Sequence, residues 1–157
     1  MIVYRLSRSK FKNDLSGKGA EMAGGRWNSI GIPMLYTAES RALCALEIAV
    51  HTQLNVVPDD YLMVTIEIPG ISKKQEISAS HLPEHWKSFP ENSFTQKLGD
   101  NFCREGKYLA LKVPSAIVQG DHNILVNPFH PDFRLVKVVS MERFQFDQRL
   151  FIKQAEA

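Results

Sequence analysis

The sequence predicts an α+β domain built on a largely antiparallel sheet. Strands and helices follow one another irregularly, without the regular βα alternation of a doubly wound fold. The last strands cluster together and are joined by short connections. No internal repeat, low-complexity tract or long linker interrupts the chain, so its 157 residues read as one domain.

Taken in order, residues 2–6 (IVYRL) read as a short strand, and residues 13–25, rich in Gly, Ser and Lys, as a loop. PMLYT at 33–37 is a second strand, followed at once by a helix over about residues 39–54. Thr37 or Ser40 is placed to cap that helix, and Glu39 to complement its dipole. YLMVTIEI at 61–68 alternates and is rich in β-branched residues, which predicts a strand ended by Pro69-Gly70. A short helical or turn segment is expected at 81–86, and a helix over 93–104 stopped by Gly106. Residues 108–113, 122–126 and 134–146 look like three further strands.

Composition bounds the function. No segment is apolar for long enough to span a membrane. The opening MIVYRLSRSKF has its apolar and cationic residues in the wrong order for a secretory signal. Cys44 and Cys103 are far apart and fit no metal-ligand spacing, so reduced, buried thiols in a cytoplasmic protein are expected. A net charge of +2 is too small to argue for nucleic acid. The local basic run Arg5, Arg8, Lys10, Lys12 and Lys18 reads either as a phosphate contact or as solvated surface.

Glu47 is the most informative single residue. At 100° per residue Leu43, Leu46, Val50 and Leu54 share one helix face, and Glu47 falls inside it. A carboxylate among core positions needs a partner, a cavity or an escape to solvent at the helix edge. His51, one turn on, is a candidate partner or an ordinary half-buried histidine.

In GGRWN, Gly24 and Gly25 permit a tight turn and close approach to a ligand, and Arg26 offers a fork for a phosphate or carboxylate. Tyr36, on the strand leading to Glu47, offers a flat face for a planar ring; a simple turn beside a core tyrosine explains the same residues. Ser115 after Pro114, and Asn127 in NPFHP, read as sugar or amide contacts or as turn-formers. No G-x-S-x-G elbow surrounds Ser115, which excludes a hydrolase nucleophile. No metal site is expected: Pro83 separates His81 from His85, and His122 and His130 lack further ligands at a recognisable spacing. There is also no P-loop and no G-x-G-x-x-G after a strand, which argues against an ATPase or a dinucleotide-dependent dehydrogenase.

Six stretches in order resemble the RES-domain toxins of bacterial toxin–antitoxin pairs. They are Tyr4-Arg5, GGRWN at 24–28, LYTAES at 35–40, ALEIAVH at 45–51, VPSAIV at 113–118 and ILVNPFHPDF at 124–133. The resemblance implies an ADP-ribosyltransferase-like fold, with a core over about 4–139 and a C-terminal extension at 140–157. It implies Arg26, Tyr36, Glu47 and Ser115 as catalytic residues. Arg5, Trp27 and Asn127 would join Arg26 and Tyr36 in binding NAD, which is a substrate, with no prosthetic group. The implied reaction cleaves the nicotinamide–ribose bond by hydrolysis or phosphorolysis. Transfer of ADP-ribose to a protein is the alternative, ahead of a nucleic-acid-acting toxin or a non-catalytic nucleotide-binding module. An Xre-type helix-turn-helix antitoxin is the implied partner, with a homodimer within that complex, and DNA binding would belong to the partner and not to this chain alone.

Overall fold

The computed structural model describes residues 1–70 and 74–152. Among the described residues seven strands form one sheet: β1 (Ile2–Arg8), β2 (Leu35–Ala38), β3 (Tyr61–Glu67), β4 (Lys74–Glu76), β5 (Ala110–Pro114), β6 (His122–Val126) and β7 (Lys137–Phe144). Their order is β4-β5-β6-β2-β1-β3-β7. Every pairing is antiparallel except β4 with β5. The α+β class with a mainly antiparallel sheet is therefore what the chain adopts.

Among the described residues three α-helices accompany the sheet: α1 (Lys18–Ala23), α2 (Arg41–Val50) and α3 (Ser93–Glu105). Asn92 caps α3 by accepting from the Phe94 N–H, and Gly106 ends it in the left-handed region. Ser40 caps α2 through the Leu43 N–H at 3.1 Å. Glu39 lies outside the helix, where it pairs instead with Lys112 and His122.

Local structure departs from the sequence expectations in four places. The expected loop at 13–25 contains α1, because Asp14 closes a turn onto Ser16 and Gly17 turns the chain in the left-handed region. The helix expected to reach residue 54 stops at Val50, with His51 as its C-cap. Its buried side is Leu43, Cys44 and Ile48, whereas Val50 and Leu54 are 54% and 62% exposed. The strand expected over 134–146 begins with a 3-10 turn, Pro131–Leu135, and pairs only from Lys137. Strand β4 was not anticipated; three polar residues at a sheet edge carry no alternation to read.

Strand register sorts the core into layers. Tyr36 pairs with Leu125, and Ala38 with both Asn123 and Tyr4, so these side chains share one face of the sheet. Over one part of that face α3 sets Phe102 and Cys103 against Leu111, Val113 and Leu125, with Trp27 and Trp86 beside them. Over another part α2 sets Leu43 and Cys44 against Leu6, Ala38 and Met63. The opposite face buries Val3, Leu35, Val64, Ile66, Ile124 and Val126. Between the α2 and α3 clusters the sheet is left open, and that gap is the cleft described below.

The expected core boundary near residue 139 falls inside β7, and Phe146 and Phe151 pack into the α2 cluster. Residues 153–157 of the expected extension lie outside the described residues. No helix among the described residues is long and apolar enough to cross a membrane.

Both cysteines are buried free thiols, and burial pushes each up to about 12 from an ordinary value of 9.0. An unfolded thiol ionises near its ordinary value while the folded one keeps its proton. The native state then binds more protons above pH 9, so stability falls as pH rises. Urea titrations should show the thiol contribution intact below about pH 9 and lost progressively from there to about pH 12. Replacing both cysteines by Ala should flatten that slope.

Candidate active site

The cleft has two adjoining chambers that share lining residues. The smaller, about 180 Å³, lies between β1, β2 and α2 and is lined mainly by Tyr4, Leu6, Ala38, Cys44 and Ile48. The larger, about 930 Å³, opens between α1, the GGRW turn, the end of α2 and the segment at 87–91. That volume lies in the roughly 300–1,000 Å³ range of small-molecule sites. Tyr36, Glu47, Ile48 and Asn123 border both chambers.

Tyr36 is the anchor of one wall. Its hydroxyl donates to Asn28 Oδ1 at 2.7 Å and accepts the Trp27 N–H at 3.0 Å. Asn28 is fully buried, and its amide in turn donates to the carbonyls of Ala20 and Ile32. Gly25 is required at its position because a Cβ there would lie 2.8 Å from the Tyr36 hydroxyl. Helix α3 holds the same turn from the other side: Gln96 donates to the Gly25 carbonyl, and Asp100 accepts from the Ser29 N–H. At Gly99 a Cβ would sit 1.7 Å from the Trp27 carbonyl oxygen, so the helix backbone runs directly over the turn. Burial pushes the Tyr36 phenol above the ordinary tyrosine range, so it remains a neutral donor.

Arg26 leaves this fixed turn at the edge of the larger chamber. Its Nη1 donates to the carbonyls of Trp86 at 2.8 Å and Ser88 at 3.1 Å. The guanidinium thereby ties down the segment carrying Lys87, Phe89 and Glu91, all of which line the chamber. Across the cleft, the Glu47 carboxylate accepts from Asn123 Nδ2 at 2.7 Å through Oε1. Glu47 rises from the buried side of α2, one turn beyond Leu43, and reaches the cavity, one of the settings expected for a carboxylate there. His51 lines the larger chamber as an exposed residue.

The remaining sequence candidates stand behind the walls. Ser115 Oγ accepts the N–H groups of Ile117 and Val118, closing the turn that puts Ala116 and Ile117 on the larger chamber. Asn127 is fully buried; it donates to the Cys103 carbonyl and accepts from the Phe129 N–H. The Trp27 ring packs in the core against Trp86, 6.1 Å between centroids, and the residue also lines the larger chamber. Arg5 borders the small chamber, yet strand alternation sends its side chain to the face opposite Tyr4, where it donates to the Asp14 carbonyl. Burial lowers the Arg5 pKa from its usual value. Asn123 was missed, because one asparagine in a short strand carries no motif and its partner lies 76 residues away. Among the described residues no cluster of His, Cys, Asp or Glu is arranged to hold a metal ion.

Comparison with known proteins agrees with this architecture. The family model described as RES domain matches residues 2–147. A Sphingobium sp. protein named Prs ADP-ribosylating toxin is 34% identical over 149 residues, spanning 94% of this chain and 92% of that protein. A Pseudomonas putida protein named Toxin Res is 36% identical over 155 residues, spanning 96% of this chain and all of that protein. The crystal structure of the M. tuberculosis MbcT–MbcA toxin–antitoxin complex contains a chain that superposes with a TM-score of 0.69 at 21% identity. It covers 96% of this chain and 86% of that one. The shared fold accords with the expected ADP-ribosyltransferase-like architecture.

Tyr36→Phe removes one hydroxyl and leaves both Asn28 Oδ1 and the Trp27 N–H without that partner. The variant should lose roughly 2–4 kcal/mol in urea unfolding at an unchanged m-value. Wild-type stability in that variant would show that the hydroxyl does not hold the turn.

Proposed function

The chain belongs to the RES-domain family, and on that premise we propose that it is the toxin of a toxin–antitoxin pair and cleaves the nicotinamide–ribose bond of NAD. The observation that carries this reading is the position of Glu47, a carboxylate at the junction of a small apolar chamber and a larger one edged by cations. The small chamber suits the flat nicotinamide ring. The larger one suits ADP-ribose, with Arg26 and Lys87 near the diphosphate. The scissile bond would then lie beside Tyr36 and Glu47.

The chemistry follows from charge. As the C1′–N bond breaks, its electron pair passes to the pyridinium nitrogen, and nicotinamide leaves neutral without a general acid. Positive charge develops on the ribose, and a fixed carboxylate stabilises it and can also hold a ribose hydroxyl. Water, giving up a proton to solvent, or inorganic phosphate then bonds to C1′. Tyr36 presents its ring face while its hydroxyl stays engaged with the turn. Ser115 and Asn127 are assigned supporting roles, shaping the 116–117 wall and the end of β6. Arg5 and Trp27 are likewise assigned to the frame around NAD.

A second reading is transfer of ADP-ribose to a protein, favoured by the printed name of the Sphingobium relative, an ADP-ribosylating toxin. The two reactions share every step up to nicotinamide departure and differ only in the nucleophile. A cytoplasmic location and a cognate Xre-type antitoxin, the source of any DNA binding, complete the proposal. The toxin names of the relatives and the toxin–antitoxin title of the structural neighbour support it.

Incubating the purified protein with NAD, with and without phosphate, should release free nicotinamide; ADP-ribose or its 1-phosphate identifies the acceptor. Absence of nicotinamide under both conditions would refute the reading. Glu47→Gln keeps the size and an acceptor for Asn123 but removes the charge. Its kcat should fall by about 10²–10³-fold. Undiminished NAD consumption by that variant would sink the role given to Glu47. Arg26→Ala should raise KM if the guanidinium only binds, and lower kcat if it also acts in the transition state.

A further inference from the structure

We propose that Asn123 is the positioning residue for Glu47, retained in the sheet for its hold on that carboxylate and not for the stability of the fold. The proposal rests on the reading of Glu47 as the charge-stabilising group. Asn123 stands on β6 between Ala38 of β2 and Val113 of β5, on the face of the sheet that floors the cleft. Its neighbours along the strand, Ile124, Leu125 and Val126, are fully buried apolar residues. Asparagine is depleted in strands, and the ladder hydrogen bonds on either side come from backbone that any residue supplies.

The side chain is also incompletely satisfied. Nδ2 donates to Glu47 Oε1 at 2.7 Å, while Oδ1 is sealed from solvent and has no hydrogen-bond partner among the described residues. A buried carbonyl without a donor opposes folding, so an asparagine at this point needs a reason beyond packing. The amide orientation is fixed by its neighbour: the flipped form would press a carbonyl oxygen against a carboxylate oxygen, two acceptors with no proton between them. What the amide does that an apolar side chain of the same shape cannot do is donate to Glu47. One Nδ2 hydrogen is committed to Glu47 Oε1 and Oδ1 is sealed, so Asn123 bears on the site chiefly through Glu47. It holds Oε1 and leaves Oε2 for the ligand.

Two variants test this. Asn123→Leu keeps the branched shape and deletes both polar atoms; Asn123→Asp keeps the shape but replaces the donor with a second negative charge. In NAD cleavage, kcat of Asn123→Leu should fall on the order of 100-fold, the scale of a misplaced catalytic group, with KM within about threefold of wild type. Asn123→Asp should lose at least as much. The thermal midpoint of Asn123→Leu should equal or exceed that of wild type, because the orphaned carbonyl is gone. A crystal structure of Asn123→Leu should show the Glu47 carboxylate displaced from its wild-type position.

Wild-type kcat in Asn123→Leu, or a Glu47 carboxylate that has not moved, overturns the assignment. So does a drop in thermal midpoint, since Asn123 would then be serving the fold. If the wild-type protein releases no nicotinamide, the NAD reading fails separately. The crystallographic and thermal comparisons still decide what Asn123 holds.

Discussion

The cleft depends on one buried polar knot: the Tyr36 hydroxyl, the Asn28 side chain and the Trp27 N–H. Each hydrogen bond in it is modest by itself. Together they lie away from water, where a missing partner costs more than a formed bond contributes. The knot fixes the turn at 24–28 to β2, and α3 clamps the same turn through Gln96 and Asp100. Without that clamp the chain would have no reason to hold Arg26 over the larger chamber. Fixing the backbone first and letting one cation project from it is how a loop residue gains the precision of a strand residue.

The family-like residues divide by what they touch. Arg26, Tyr36 and Glu47 face the cleft, while Trp27, Ser115 and Asn127 build its walls and Arg5 braces the opposite side of the sheet. The two readings of Gly24-Gly25, turn and ligand site, describe one object. The turn is built around the tyrosine that borders the site, and the absent side chain of Gly25 makes room for its hydroxyl. In the same way Ser115 is a turn-former whose turn is a piece of the wall.

Much of this was legible in the sequence wherever the signal was local. The alternation in β3, the Asn92 and Gly106 ends of α3 and the Ser40 cap of α2 are all written within a few residues of where they act. Glu47 stood out because a carboxylate within an apolar helical stripe is a local anomaly. The stripe itself was misjudged by part of a turn: Leu43, Cys44 and Ile48 face the core and Val50 does not. What stayed illegible is set by tertiary partners. Asn123 has meaning only beside Glu47, β4 only beside β5, and α1 only where Gly17 tucks under Met34, 2.6 Å from an imagined Cβ.

The sheet order also has a bearing on synthesis. Strand β1 emerges first yet sits fifth in the seven-strand order, and β6, which floors the cleft, is not complete until residue 126. The Glu47 carboxylate must therefore wait 76 residues for the amide that holds it. A chain released early from the ribosome carries Arg26, Tyr36 and Glu47 but lacks the strand against which they are aligned. Late closure of the floor makes the site a property of the nearly finished chain.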